Sequence, residues 1–257
     1  MKTLLTAAAL AAMVAAPASA TFISLVDEDF ESYADTAELG GTWALSDATL
    51  DTGLGNPGQS MFHPGTAGSF SGGNTNTFSF PDTLPGPNQT LIFEAQIYDD
   101  GTSANERNTA GLRGAGSANI IEMGHYNSPS HYAIRTVLFA GGSSNWAAFT
   151  DLVDDSGAQV ANTPVEGWHT YTAEITATSV DFSLDLNSDG NVNATLSVPA
   201  VANPAGWNVV RLGGPSDLSA AGGGVNFDNV SVTLVPEPAS ALLCLLPAAW
   251  AATRRRV

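Results

Sequence analysis

Residues 180–198 read VDFSLDLNSDGNVNATLSV, and this stretch decides the fold. Val180, Phe182, Leu184 and Leu186 alternate with Asp181, Ser183 and Asp185, the period of a strand with one buried face. Asn187-Ser188-Asp189-Gly190 follows, four residues that suit the positive φ of a tight turn. Val192, Ala194, Leu196 and Val198 then resume the apolar row. The pattern predicts a hairpin buried on one side. Just upstream, Tyr171, Ala173 and Ile175 alternate with Thr170, Thr172 and Glu174. Leu91, Phe93, Ala95 and Ile97 form another inward row, with Glu94, Gln96 and Tyr98 on the reverse. Residues 131–139 predict a strand with Ile134, Thr136 and Leu138 on one face and Arg135, Val137 and Phe139 on the other. Val230, Val232 and Leu234 close the series. Helical periodicity is nearly absent between Thr21 and Leu234, and Gly, Asn, Asp and Pro split the chain often. This predicts one all-β domain, a sandwich or barrel, over residues 21–234.

The two ends read differently. Lys2, the apolar run Leu4–Ala16 and Pro17-Ala18-Ser19-Ala20 have the three parts of a secretory signal peptide, with cleavage expected after Ala20. At the other end, Val235-Pro236-Glu237-Pro238 precedes an apolar run from Ala239 to Ala252 and then Arg254-Arg255-Arg256. A spanning helix needs roughly 20 apolar residues, so this run suits transient membrane insertion with the arginines on the cytoplasmic side. Residues 235–257 resemble the PEP-CTERM sorting signal of Gram-negative bacteria. The resemblance implies cleavage near Pro236-Glu237-Pro238 by an exosortase-type enzyme. It also implies release to the cell surface or the extracellular polysaccharide matrix.

Between the ends stand 24 Asp and Glu against four Arg (107, 113, 135 and 211) and no Lys, a net charge of −20. Such a surface repels nucleic acid and suits divalent cations or neutral glycans. The only cysteine, Cys244, lies in the tail, so packing rather than disulfides must stabilise the domain.

Gly167-Trp168-His169-Thr170-Tyr171-Thr172-Ala173-Glu174, leading into the Val180 hairpin, is similar to the central segment of laminin-G-like and concanavalin A-like sandwiches. Phe227-Asp228-Asn229-Val230-Ser231-Val232 is similar to their last strand, and Asp29-Phe30-Glu31 to their first. The resemblance implies a two-sheet antiparallel jelly roll whose first and last strands pair.

Asp27-Glu28-Asp29-Phe30-Glu31 is the densest acidic cluster. On a strand, Asp27, Asp29 and Glu31 would share one face, and like charges there call for a cation or solvent. If the first and last strands pair, Asp228 would join them from across the sheet as a fourth ligand of a structural calcium site. The same alternation resembles the E-x-D-x-E strand of laminarinase-like glycosidases, but it reads Asp-x-Asp-x-Glu and stands at the start of the mature chain. Asp185 to Val192 matches half an EF-hand loop, but Leu196 stands where the bidentate carboxylate belongs, so a hairpin turn is expected. His125, His131 and His169 lack metal-ligand spacing and read as separate surface or interface residues. Sugar rings stack on aromatics, so Glu94, Gln96, Tyr98, Tyr132, Arg135 and Trp146 are candidates for a glycan platform, with Arg135 neutralising Glu94. The alternative is that Trp146 and Trp168 are inter-sheet core. The expected function is that of a secreted, exosortase-processed, non-catalytic surface or matrix protein that associates with polysaccharide or serves a structural role. A polysaccharide-active hydrolase or lyase of the same fold, and a protein-binding adhesin, are the alternatives.

Overall fold

The computed structural model describes residues 22–64, 75–102, 107–114, 119–126, 130–138, 145–199, 205–214 and 224–236. Along the chain run β1 (Ile23–Glu28), α1 (Thr36–Thr42), β2 (Thr49–Asp51), β3 (Ser60–His63), β4 (Thr75–Thr83), β5 (Gln89–Asp99), β6 (Thr109–Arg113) and β7 (Asn119–His125). Then come β8 (Tyr132–Leu138), β9 (Asn145–Ala148), β10 (Gly167–Ile175), β11 (Ser179–Asp185), β12 (Ala194–Pro199), β13 (Trp207–Gly213) and β14 (Val225–Pro236). An eight-stranded sheet has the order β12-β11-β10-β5-β14-β3-β2, with β1 also on β14. A six-stranded sheet has the order β4-β13-β6-β7-β8-β9. Every pairing is antiparallel. The fold is an all-β, two-sheet antiparallel jelly-roll sandwich: all-β as the alternation predicts, and a jelly roll as the resemblance implies.

The inward rows are those of the sequence. Leu91, Phe93, Ala95 and Ile97 on β5 are fully buried, as are Tyr171 and Ala173 on β10 and Val180 and Leu184 on β11. In register, Phe93 stands beside Ala173, and Ala173 beside Phe182, so large and small side chains alternate across the layer. From the second sheet, Leu112, Ile121, Met123, Ile134, Val210 and Leu212 close on them.

β1 pairs with β14, Val26 opposite Val232 and Glu28 opposite Val230. The opening strand therefore ends at Glu28, and Asp29-Phe30-Glu31 is not part of it; Phe30 has φ of 58°. Glu28 turns inward instead. Its carboxylate accepts from Phe30 N (2.8 Å), the Tyr33 hydroxyl (2.6 Å) and Trp43 Nε1 (3.1 Å). Burial and this carboxylate push the Tyr33 hydroxyl up to about 12. β14 continues the ladder two residues past the expected boundary at Leu234, with Val235 opposite Thr90 and Pro236 opposite Gln89.

Three further differences have local causes. α1 is a helix where none was expected. Asp35 caps it, its Oδ1 accepting from Ala37 N and Glu38 N at 2.9 Å each. Val192 is exposed rather than inward. The hairpin loop runs from Leu186 to Asn193, and Asn193 fills the inward position, accepting from Leu186 N at 2.6 Å and donating to Val153 O at 3.0 Å. Trp43 and Trp207 are the core tryptophans, whereas Trp146 and Trp168 are partly exposed. Among the described residues no helix is long and apolar enough to cross a membrane. The signal peptide and the sorting tail from Glu237 through Arg254, Arg255 and Arg256 lie outside the described residues.

Candidate functional site

The acidic seam assembles in part. Asp228 is buried at a bulge in β14, where Asn229 adopts φ of 45°. Its carboxylate accepts from Asn56 N (2.6 Å) and Asn229 N (2.7 Å). Burial, opposed by these two hydrogen bonds and reinforced by the charges of Glu31 and Asp29, raises it to about 6. Glu31 accepts from Gln59 N at 2.6 Å. Asp29 and Glu31 thus gather near Asp228, but not through strand alternation. Asp27 remains on β1, exposed and opposite Ser231.

The expected glycan residues do not share one face. Glu94, Gln96 and Tyr98 are on the outer side of β5 in the first sheet. Gln96 is committed to structure: its Oε1 accepts from Asn56 Nδ2 (2.9 Å) and Asn229 Nδ2 (2.8 Å). Glu94, raised by burial, accepts from the Thr172 hydroxyl. Tyr98 packs on Trp168, ring centroids 5.5 Å apart. Tyr132 is in the core. Arg135 and Trp146 belong to the outer face of the second sheet, and the partner of Arg135 is Glu122, not Glu94.

That outer face carries a row the sequence did not reveal. Register places Thr77, Arg211, Gly111, Glu122, Arg135 and Trp146 side by side across β4, β13, β6, β7, β8 and β9. Residues opposite one another in an antiparallel ladder share a face. Arg113 lies two positions along β6 on the same side. Glu122 Oε1 accepts from Arg113 Nη2 (2.7 Å) and Arg211 Nη1 (3.3 Å), and Oε2 from Arg135 Nη1 (3.2 Å). The side chains are 14, 11 and 10% exposed for the three arginines and 2% for Glu122. β7 is buried on both faces, so the row is recessed. Gly111 sits between Arg211 and Glu122, where a Cβ would meet Ile121 O at 2.5 Å. Burial and the adjacent Arg113 charge pull Arg211 down to about 10, still cationic at neutral pH. At the row's end Trp146 stacks on Tyr126, centroids 3.8 Å apart and 10° between planes, and the Arg107 guanidinium sits over Tyr126 at 5.6 Å. All four arginines of residues 21–234 thus gather on one face.

A second polar group lies between the sheets at one end. The three histidines expected to be separate surface or interface residues are buried together here. Asp99 ends the inward row of β5; His125 ends β7; His131 precedes β8; His169 is inward on β10. Asp99 Oδ2 accepts from His131 Nε2 (2.6 Å), the Tyr132 hydroxyl (2.9 Å) and Val165 N (3.3 Å), and Oδ1 from Gly101 N (2.8 Å). Burial alone would raise this carboxyl, but the His131 hydrogen bond, the charges of His125 and His131 and the Gly101 N–H hold it well below the usual range. Burial depresses His125, and His169 falls to about 4 for the same reason. His169 Nδ1 accepts from Asn187 N (3.0 Å), which leaves Nε2–H to donate to Val165 O (2.8 Å).

No protein-family model matches the chain, and no curated protein sequence does. Similar solved structures include domain 4 of AbnA, an extracellular GH43 arabinanase from Geobacillus stearothermophilus, in complex with arabinotriose. It is 13% identical at TM-score 0.49, covering 84% of this chain and 93% of that one. The CBM2 module of the evolved Dit of Lactobacillus casei BL23 phage J-1 is 12% identical at TM-score 0.48, covering 84% and 97%. The catalytic domain of a glycoside hydrolase family 131 protein from Coprinopsis cinerea is 15% identical at TM-score 0.48, covering 81% and 93%.

Proposed function

We propose that this chain is a secreted, exosortase-processed, non-catalytic sandwich protein that associates with polysaccharide, and that its ligand carries carboxylate groups. The supporting observation is the gathering of Arg107, Arg113, Arg135 and Arg211 on one face of an otherwise acidic domain. Guanidinium groups pair with carboxylates in a planar, often two-pronged geometry. Tyr126 and Trp146 add aromatic surface where the row ends. From β13 to β9 the row spans roughly 19 Å at the usual spacing between strands, room for an oligosaccharide rather than one ring. Glu122 organises the guanidiniums but cannot neutralise them all.

Binding is favoured over hydrolysis for a chemical reason. A glycosidase needs two carboxyl groups, one of them able to donate a proton. On the described strands of this face Glu122 is the one carboxylate, and both its oxygens already accept from guanidiniums. The seam residues Asp29, Glu31 and Asp228 fit a structural calcium ion, because a cation would offset the burial, and the added repulsion of Glu31 and Asp29, that raise Asp228.

The test is binding of the full chain to polygalacturonate, to its methyl ester and to a neutral glucan. Binding to the polyuronate alone, weakened by Arg211→Gln, is expected. Equal binding to the methyl ester would remove the charge reading and leave the glycan reading. Binding to none of the three would remove both. Mass spectrometry of the mature protein checks the processing, with Thr21 expected at the N-terminus and a C-terminus near Glu237.

A further inference from the structure

We propose that Asp99, His125 and His131 bind a divalent transition metal, zinc by their donor set, at the end of the sandwich. The site lies between the sheets and does not depend on the glycan reading. Three observations carry it.

The first is convergence. One donor atom from each residue lies within 4.8 Å of the other two, and no residue of the three is more than 2% exposed. Zinc bound tetrahedrally at roughly 2.0–2.1 Å sets neighbouring ligand atoms about 3.4 Å apart. The present separations bracket that value: from Asp99 Oδ2 to His131 Nε2 is 2.6 Å, and to His125 Nε2 is 3.9 Å. Shifts on the order of an ångström would bring the three donors onto one ion.

The second is redundancy. The two imidazoles stack, centroids 4.6 Å apart and 22° between planes, with both Nε2 atoms turned to the same carboxylate oxygen. His131 Nε2 lies 2.6 Å and His125 Nε2 3.9 Å from that one atom, so both imidazoles present the same donor atom to the same carboxylate. Metal entry requires the proton that His131 now donates from Nε2 to leave or to move to Nδ1.

The third is Asn108, fully buried next to His125, which donates from its backbone N to Asn108 O at 2.9 Å. Neither Oδ1 nor Nδ2 of Asn108 has a hydrogen-bond partner among the described residues. A buried carboxamide with both ends unmet is costly, and a metal-bound water would satisfy it. The surrounding groups already orient the ligands, since the Tyr132 hydroxyl and Gly101 N–H both donate to Asp99. Two nitrogen donors and one oxygen donor suit zinc and not calcium. His169 is a neighbour rather than a ligand, because its Nε2–H is given to Val165 O.

The experiment uses the full chain, made without a polyhistidine tag, stripped by chelator and then titrated with Zn²⁺. One equivalent should remain bound after gel filtration. The melting temperature should rise by about 5–10 °C at a hundredfold excess over Kd. Co²⁺ in place of zinc should give the intense visible absorption of a tetrahedral site. His125→Gln and Asp99→Asn should lose zinc retention, while Asp228→Asn, at the separate acidic seam, should keep it. A folded His125→Gln that still retains zinc overturns the proposal. If neither site variant folds, cobalt and the wild-type chain decide: no retained metal, or a weak octahedral spectrum, overturns it.

Discussion

Glu122 and the arginines around it show what a single residue contributes here. The carboxylate is buried and bonds three guanidiniums at once. Removing one partner of a buried ion group leaves charge uncompensated and costs about 3–5 kcal/mol. Glu122→Leu should therefore lower the urea unfolding free energy by that amount, whereas Phe22→Ala, at an exposed position, should change it little. His63 gives the pH dependence. It is buried between the sheets and its Nδ1 lies 3.5 Å from Asn76 Nδ2. Burial lowers it to about 4; Asp47 opposes this slightly and Arg211 adds to it. The unfolded chain titrates near the ordinary histidine value, so in the window between there and about 4 the unfolded state holds more protons. The His63 contribution to stability is thus present above about pH 6.5 and lost as pH falls toward 4. Melting temperature measured from pH 7 to pH 4 should fall less steeply in His63→Gln; an unchanged slope would contradict this. At this scale the sequence was informative about sign but not about partner. That Arg135 on an apolar strand needs a carboxylate was legible. That the carboxylate is Glu122 was not, because cross-strand pairing depends on register.

At the scale of elements, the hairpin and the rows of β5 and β10 followed from alternation alone. Phe182 is its test. Its side chain is almost fully buried and lies beside Ala173 on β10 and Leu196 on β12. Phe182→Ala should cost about 3–5 kcal/mol in urea unfolding, since no large neighbour stands next to it on β10 to fill the space. The reading of Asp27-Glu28-Asp29-Phe30-Glu31 failed for an instructive reason. Alternation was assumed to continue, but the strand stops at Glu28. Three donors, from Phe30, Tyr33 and Trp43, pull that carboxylate inside. Two of them come from residues well beyond the strand, so local pattern could not show them. α1 was missed because it is only seven residues long, too short for helical periodicity; its one signal was Asp35 followed by Glu38.

For the whole molecule, charge is the dominant long-range property. The chain carries a formal net charge of −17 at pH 7. Self-repulsion of that size opposes compaction, and salt screens it over a Debye length of about 10 Å at 0.1 M. The melting temperature should rise when NaCl is increased from near zero to about 0.5 M; a fall would mean that the Glu122 network outweighs the general repulsion. The sequence by itself determined the class of fold, the inward rows of the strands and the acidity of the body, because period-two burial and composition are local properties of the chain. Only the tertiary fold set the two groupings of side chains. Four arginines spread over 105 positions share one face because antiparallel strands bring Arg113, Arg135 and Arg211 around Glu122, and Arg107, just before β6, lies over Tyr126 at the end of the row. Asp99, His125 and His131 became one cluster because strand ends from both sheets meet there. Neither grouping has a sequence spacing, since the distance along the chain between strands that pair is set by how the sheets close.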